Sequence, residues 1–103
     1  MRVISPKRLR QFWQGGHANS EAPLKEWLKL TEHAWWSDIT DLRGTFPHAD
    51  AVGVKSGRFV TVFNVGGNAY RLIAAVHYNT QIVYVLRVMT HAEYDKDKWK
   101  GQL

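Results

Sequence analysis

The chain contains no cysteine. That excludes disulfides and thiolate metal sites, and it is compatible with a reducing compartment. Long apolar runs are missing too, since no stretch approaches the roughly 20 apolar residues a helix needs to cross a bilayer. Met1–Ser5 leads straight into a basic segment without the apolar core or cleavage site of a secretion signal, so a cytoplasmic protein with no membrane partner is expected. The five histidines show neither HxH nor HxxxH spacing, so local pairing builds no zinc site, and no metal or other cofactor is expected. Acidic residues are scarce: nine Asp and Glu face fourteen Lys and Arg, leaving +5 at neutral pH. From Arg58 to Thr90 there is none at all. A basic excess suits an anionic partner such as nucleic acid, an acidic lipid surface or an acidic protein, without choosing among them. Repeats, linkers and low-complexity tracts are also absent, and 103 residues suffice for one core, so a single domain over 1–103 is expected.

What the sequence does have is aromatic weight, 13% of residues with five Trp, and one long β-rich stretch from Phe63 to Tyr94. Gly66-Gly67 supplies two positions for positive φ in a two-residue hairpin turn, and Asn79–Gln81 reads as a three-residue second turn. Pairing Val65 with Asn68 and Tyr78 with Ile82 then assigns the faces by alternation. Phe59, Phe63, Tyr70, Leu72, Val76, Ile82, Tyr84, Leu86 and Val88 form an apolar core side. The opposite side carries Asn64, Arg71, His77, Val83, Val85, Arg87 and Met89, apolar in its middle but polar around it.

Ahead of this stretch, Arg2–Ile4 is β-prone and fits an edge strand. Ser5-Pro6 reads as an N-cap with proline at the first helical position, and Gly15-Gly16 as the stop. Lys7, Arg8 and Arg10 line the outside of that helix, read as an ordinary solvated face in preference to a phosphate contact. Ser20 caps a second helix whose buried stripe is Leu24, Trp27, Leu28, Thr31, Ala34 and Trp35. A short third helix follows from Ser37, and Trp35-Trp36 is read as helix-to-sheet packing. Ala51–Lys55 and Arg58–Val65 make a hairpin around Ser56-Gly57. The class is α+β, with helices on one side of a four- to five-stranded, mainly antiparallel sheet and a short C-terminal helix.

That last helix opens with Thr90-His91-Ala92-Glu93, the spacing of a capping box. It places an imidazole able to accept a proton where a strand becomes a helix, with Tyr94 and Lys98 following at i+3 and i+7. Arg71 and Arg87 lack any local carboxylate, which favours a phosphate partner. A base, a guanidinium and a second proton carrier are what metal-free RNA cleavage by a ribose 2′-hydroxyl requires. Gly66-Gly67 is followed by neither helix nor lysine and is a turn, not a phosphate loop.

The run FNVGGNAYRLIAAVHY followed by RVMTHAEYDKDKW resembles the HigB family of type II toxin–antitoxin systems, within the RelE-like toxin superfamily. FN-x-GGN-x-YRL and THAEYD carry the likeness residue for residue; the helical half matches only in pattern. The resemblance implies a RelE-like fold and a metal-independent mRNA endoribonuclease that acts on the ribosome and inhibits translation. It also implies a cognate helix-turn-helix antitoxin of the HigA type, with DNA met only through that antitoxin. By position, Arg71 would stabilise the phosphate, His91 and Tyr94 would do acid–base and orienting work, and Lys55 would join them as a less firmly anchored catalytic candidate. Arg58, Asn64, Asn68, Arg87 and Lys98 are the expected RNA contacts. Family members often carry Gly where this chain has Asp97, a departure expected to alter only local charge near Lys98. Two other classes remain open on the residues alone: a non-catalytic RNA- or ribosome-binding module, and a small interaction domain for an acidic protein.

Overall fold

The computed structural model describes residues 1–103. Five strands form one sheet in the order β1-β5-β4-β3-β2, namely β1 (Arg2–Ile4), β2 (Asp50–Gly53), β3 (Phe59–Val65), β4 (Tyr70–His77) and β5 (Ile82–Thr90). Neighbours from β2 to β5 are antiparallel, while β1 runs parallel to β5, so the sheet is mixed but mainly antiparallel. Helices α1 (Lys7–Gln14), α2 (Glu21–His33) and α3 (Ile39–Thr45) precede β2, and α4 (His91–Asp95) follows β5. This is the α+β arrangement expected from the sequence. No helix is long and apolar enough to cross a membrane.

Alternation in the strands divides the buried residues between two sides. Phe63, Val65, Leu72 and Ala74 join Val83 and Val85 in one cluster with Leu9, Leu24, Trp27, Trp36 and Leu42 from the helical half. Val60, Val62, Ile73 and Met89 form a second cluster with Val54 and Trp99. The sheet is thus buried on both faces, by the N-terminal helices on one and by the C-terminal tail on the other.

Both hairpins depart from the expected register. Gly66 and Gly67 do adopt positive φ, but the turn takes four residues and Val65 pairs with Tyr70. A shift of two residues leaves the faces unchanged, so Asn64 stays on the face of Arg71 and now lies directly opposite it. At the second turn His77, not Tyr78, pairs with Ile82, a shift of one. That moves Val83 and Val85 to the core side and exposes Tyr84, reversing the expected assignment. A bulge then intervenes, with Ile73 opposite Arg87 and Ala74 opposite Val85, so that Leu86 is the extra residue. The extra residue restores the original parity for Arg87 and Met89. Two irregularities of opposite effect bracket four residues, and only those change face.

The helix ends show similar local corrections. Ser5 does not cap α1: it takes φ 65, and Pro6 is the N-cap residue. Ser20 stands at the N-cap of α2, but its hydroxyl donates to the His17 carbonyl instead of capping. Lys25 pairs with Glu21 one turn earlier on the outer face of α2. Helix α2 stops at His33, which leaves Trp35 71% exposed while Trp36 is buried with its indole N–H on Thr45. The expected pairing of Trp35 and Trp36 against the sheet holds for Trp36 alone. Phe59, also expected in the core, is exposed at the start of β3.

Candidate functional site

The polar residues of interest gather where β4 starts, β5 ends and α4 begins. Thr90 caps α4 as the sequence predicts: its hydroxyl accepts from the Glu93 N–H at 3.2 Å and lies 3.2 Å from the Glu93 carboxylate. Tyr70 pairs with Thr90 and Arg71 with Met89, and the His91 N–H donates to the Ala69 carbonyl at 3.0 Å. The first turn of α4 is therefore pinned to the β3–β4 turn, beside the base of Arg71.

Arg71 is only 7% exposed. Its guanidinium donates to the Asn68 side-chain oxygen at 2.7 Å and to the carbonyls of Asn68 and Tyr70 at 3.3 and 3.0 Å. It also lies 5.6 Å from the centre of the Tyr94 ring. No carboxylate pairs with it, so a buried cation is held entirely by neutral oxygens and an aromatic face. Neutral partners fix its orientation without cancelling its charge. Asn68 thus holds the Arg71 guanidinium, a contact the sequence did not disclose.

Tyr94 in turn stacks on Trp99, with centroids 5.3 Å apart and planes at 21°, and the Trp99 indole N–H donates to the Tyr94 carbonyl at 3.2 Å. His91 Nδ1 lies 2.8 Å from the Asp95 carboxylate. A neutral ring protonated on Nδ1, toward Asp95, has Nε2 as its acceptor. Asp95 was missed in the sequence, although its i+4 spacing from His91 on a helix was the available signal.

The other candidates are placed less centrally. Asn64 sits opposite Arg71 across the ladder and is exposed. Arg87 and Lys98 line one cleft of about 370 Å³ with Glu93 and Trp99. Lys98 does not continue α4, as the i+7 spacing assumed: α4 ends at Asp95, Asp97 takes φ 58, and Lys98 opens a separate 3-10 turn. The departure at Asp97 is thus conformational, since it occupies a left-handed position that glycine fills without strain. Lys55 and Arg58 flank the tip of the β2–β3 hairpin, and both are exposed. The Lys55 N–H donates to the Lys100 carbonyl at 3.0 Å, which ties this hairpin to the turn carrying Trp99. Neither Lys55 nor Arg58 hydrogen-bonds to Arg71 or His91. No group of three or more His, Asp or Glu side chains is arranged to hold a metal ion.

Comparison with known proteins adds a lineage to this geometry. Over 54 residues the chain is 43% identical to the mRNA interferase toxin HigB of Escherichia coli (strain K12), covering 52% of this chain and 50% of that protein. The mRNA interferase HigB of Shigella flexneri matches to the same extent. The mRNA interferase HigB of Escherichia coli O6:H1 (strain CFT073) is 28% identical over 80 residues, 78% of this chain and 76% of that protein. The chain spans about half the length of the first two of these relatives. The profile of the HigB toxins matches residues 20–97, from the cap of α2 to the left-handed Asp97. The chain therefore belongs to the HigB toxin family, the RelE-like toxic component of a toxin–antitoxin system.

Proposed function

We propose that this protein is an mRNA endoribonuclease, the toxin of a type II toxin–antitoxin pair, acting on messages engaged by the ribosome and so blocking translation. The observation that carries the reading is Arg71, a cation 7% exposed that is oriented by Asn68 and Tyr94 and has no carboxylate partner. Such a group carries an uncancelled positive charge in a fixed orientation, which suits a phosphate. His91, with Nδ1 on Asp95, offers Nε2 to a ribose 2′-hydroxyl. The 2′-oxygen attacks the adjacent phosphorus, the bond to the 5′-oxygen breaks, and a proton passes to that leaving oxygen. Tyr94 and Lys55 are the candidates for delivering it or for orienting the phosphate. The products are a 2′,3′-cyclic phosphate and a 5′-hydroxyl, with no metal or cofactor in the scheme. Arg58, Asn64, Arg87 and Lys98 would hold the flanking strand, while Asn68 keeps Arg71 in place.

The family assignment also supports a cognate antitoxin, which we take to be a HigA-type helix-turn-helix protein through which alone the pair meets DNA. The site of action would then be the cytoplasm, and the single domain would extend over residues 1–103. The test is to mix purified chain with translating ribosomes and map RNA ends. Cyclic phosphate and 5′-hydroxyl ends are expected. Ends bearing 3′-hydroxyl and 5′-phosphate overturn the mechanism, and binding without cleavage favours a non-catalytic ribosome-binding module.

A further inference from the structure

Strand β5 is paired on both edges only over its first third. β1 matches Arg2–Ile4 against Ile82–Tyr84 and then stops, because Ser5 at φ 65 turns the chain away into α1. From Leu86 to Thr90 the strand has β4 on one side and no strand on the other. Uncovered edges of this kind present unpaired backbone groups, and natural sheets usually blunt them. Here such devices are the bulge at Leu86 and Arg87, whose guanidinium donates to the Leu86 carbonyl at 2.9 Å.

Two clefts flank this open edge, one toward each face of the sheet. The first, about 260 Å³, lies toward α1 and is lined by Arg8, Gln11 and Phe12 together with Leu86 and Val88. The second, about 370 Å³, lies toward the C-terminal tail, with Lys96, Lys98 and Trp99 in its wall. Arg87 and Val88 border both. An incoming strand would send alternate side chains to opposite faces, one set into each cleft. The edge from Leu86 to Thr90 is about 17 Å long at the usual rise per residue, room for a guest of about five residues.

Charge indicates what that guest carries. Arg8, Arg87, Lys96 and Lys98 face the edge, and none of them is in an ion pair. The one carboxylate among them, Glu93, already accepts from the Thr90 hydroxyl. The cleft beside α1 has an apolar floor of Phe12, Leu86 and Val88, whereas the other has two lysines. We infer that the open edge of β5 is the docking site for an extended acidic segment of a partner protein, which adds to the sheet beyond the end of β1. Its carboxylates meet Lys96 and Lys98, and its apolar side chains lie against Phe12 and Val88. A nucleic acid strand would use the same cations, but it has no alternation to match the two clefts and no amides for the ladder.

The test is to titrate the ¹⁵N-labelled full chain with the peptide acetyl-Val-Glu-Val-Glu-Val-Glu-Val-amide. The amides of Leu86–Thr90 should shift most, and those facing the open edge should exchange about tenfold more slowly with solvent. N-methylation of alternate peptide amides on the pairing edge should weaken binding by about tenfold, with methylation of the other set tolerated. Arg8→Glu and Lys96→Glu should each weaken it without changing the fold seen by circular dichroism. Shifts that map elsewhere, or indifference to N-methylation, overturn the inference, as does protection of this edge by hexauridylate but not by the peptide. The readout is backbone protection, so loss of this proposal leaves the ribonuclease reading standing, and the converse holds.

Discussion

Arg71 illustrates how one residue can be buried without being neutralised. Its planar fork is satisfied by three oxygens, none of them charged, and the Tyr94 ring covers it. Truncation to Ala would therefore leave the Asn68 and Tyr70 oxygens unpaired and cost stability as well as activity. Arg71→Lys is the cleaner probe, because it keeps the charge and the stem and loses only the fork. Its cleavage rate should fall by about a hundredfold, with a thermal midpoint close to wild type. An unchanged rate in single-turnover cleavage would remove Arg71 from the chemistry. His91 is a simpler case, since its pair with Asp95 is largely solvent-exposed. Exposed pairs contribute little to stability. His91→Ala should thus slow cleavage by about 10²–10⁴ while leaving the unfolding curve nearly unmoved. Equal losses of activity and stability would mark His91 as structural.

At the scale of elements, short helices here depend on their first turns. In α3 the Asp38 side chain accepts from the Asp41 N–H, and Asp41 accepts from the N–H and hydroxyl of Ser37. Those bonds from Ser37 hold the Asp41 carboxyl below its ordinary 3.8. A depressed carboxyl contributes stability above the unfolded value and loses it as pH falls through the folded one. Ser37→Ala should therefore lower the urea midpoint at neutral pH, with the difference from wild type shrinking well below pH 3.8. A pH-independent difference would show that the carboxylate bond is not responsible. The junction between α4 and the last turn makes a second prediction. Asp97 holds φ 58, and its pair with Lys100 is mostly exposed. Asp97→Gly should raise unfolding free energy by about 0.5–1 kcal/mol in denaturant titration, because the left-handed backbone no longer carries a Cβ. A fall in stability would mean that the ion pair outweighs the backbone.

Across the whole molecule, the tail from Tyr94 to Leu103 completes the second face of the sheet, with Trp99 at 3% exposure inside the cluster of Val54, Val60, Val62, Ile73 and Met89. The same tail brings Lys98 and Lys100 to the side where Lys55 is anchored. Fold and basic surface are therefore assembled by the same contacts. If Lys55, Arg58, Arg71, Arg87 and Lys98 all meet phosphates, log affinity for single-stranded RNA should fall with log salt at a slope of about −3.5. That amounts to roughly a hundredfold loss between 50 and 200 mM salt. A flat salt response in filter binding would exclude this surface as the RNA site. Expressed without an antitoxin, the chain should arrest growth with loss of intact transcripts, and normal growth at high expression would count against the toxin activity.

The sequence by itself determined the class, the element order, the capping box at Thr90 and the face shared by Arg71 and Met89. These follow from local rules: period-two alternation, turn residues and helix-start spacing act within a few residues. The parity of Val83 and Val85 was out of reach, because it depends on a one-residue register choice and a compensating bulge that only packing against Phe63 and Leu72 selects. The hold of Asn68 on Arg71 and the burial of Trp99 in a polar tail were equally hidden, since each joins segments whose approach no local pattern encodes. The open edge of β5 belongs to the same group. It exists because β1 is three residues long and leaves at Ser5, while the strand it accompanies continues to Thr90. Length and exit angle of one element against another are properties of the assembled sheet, and there the tertiary structure decided.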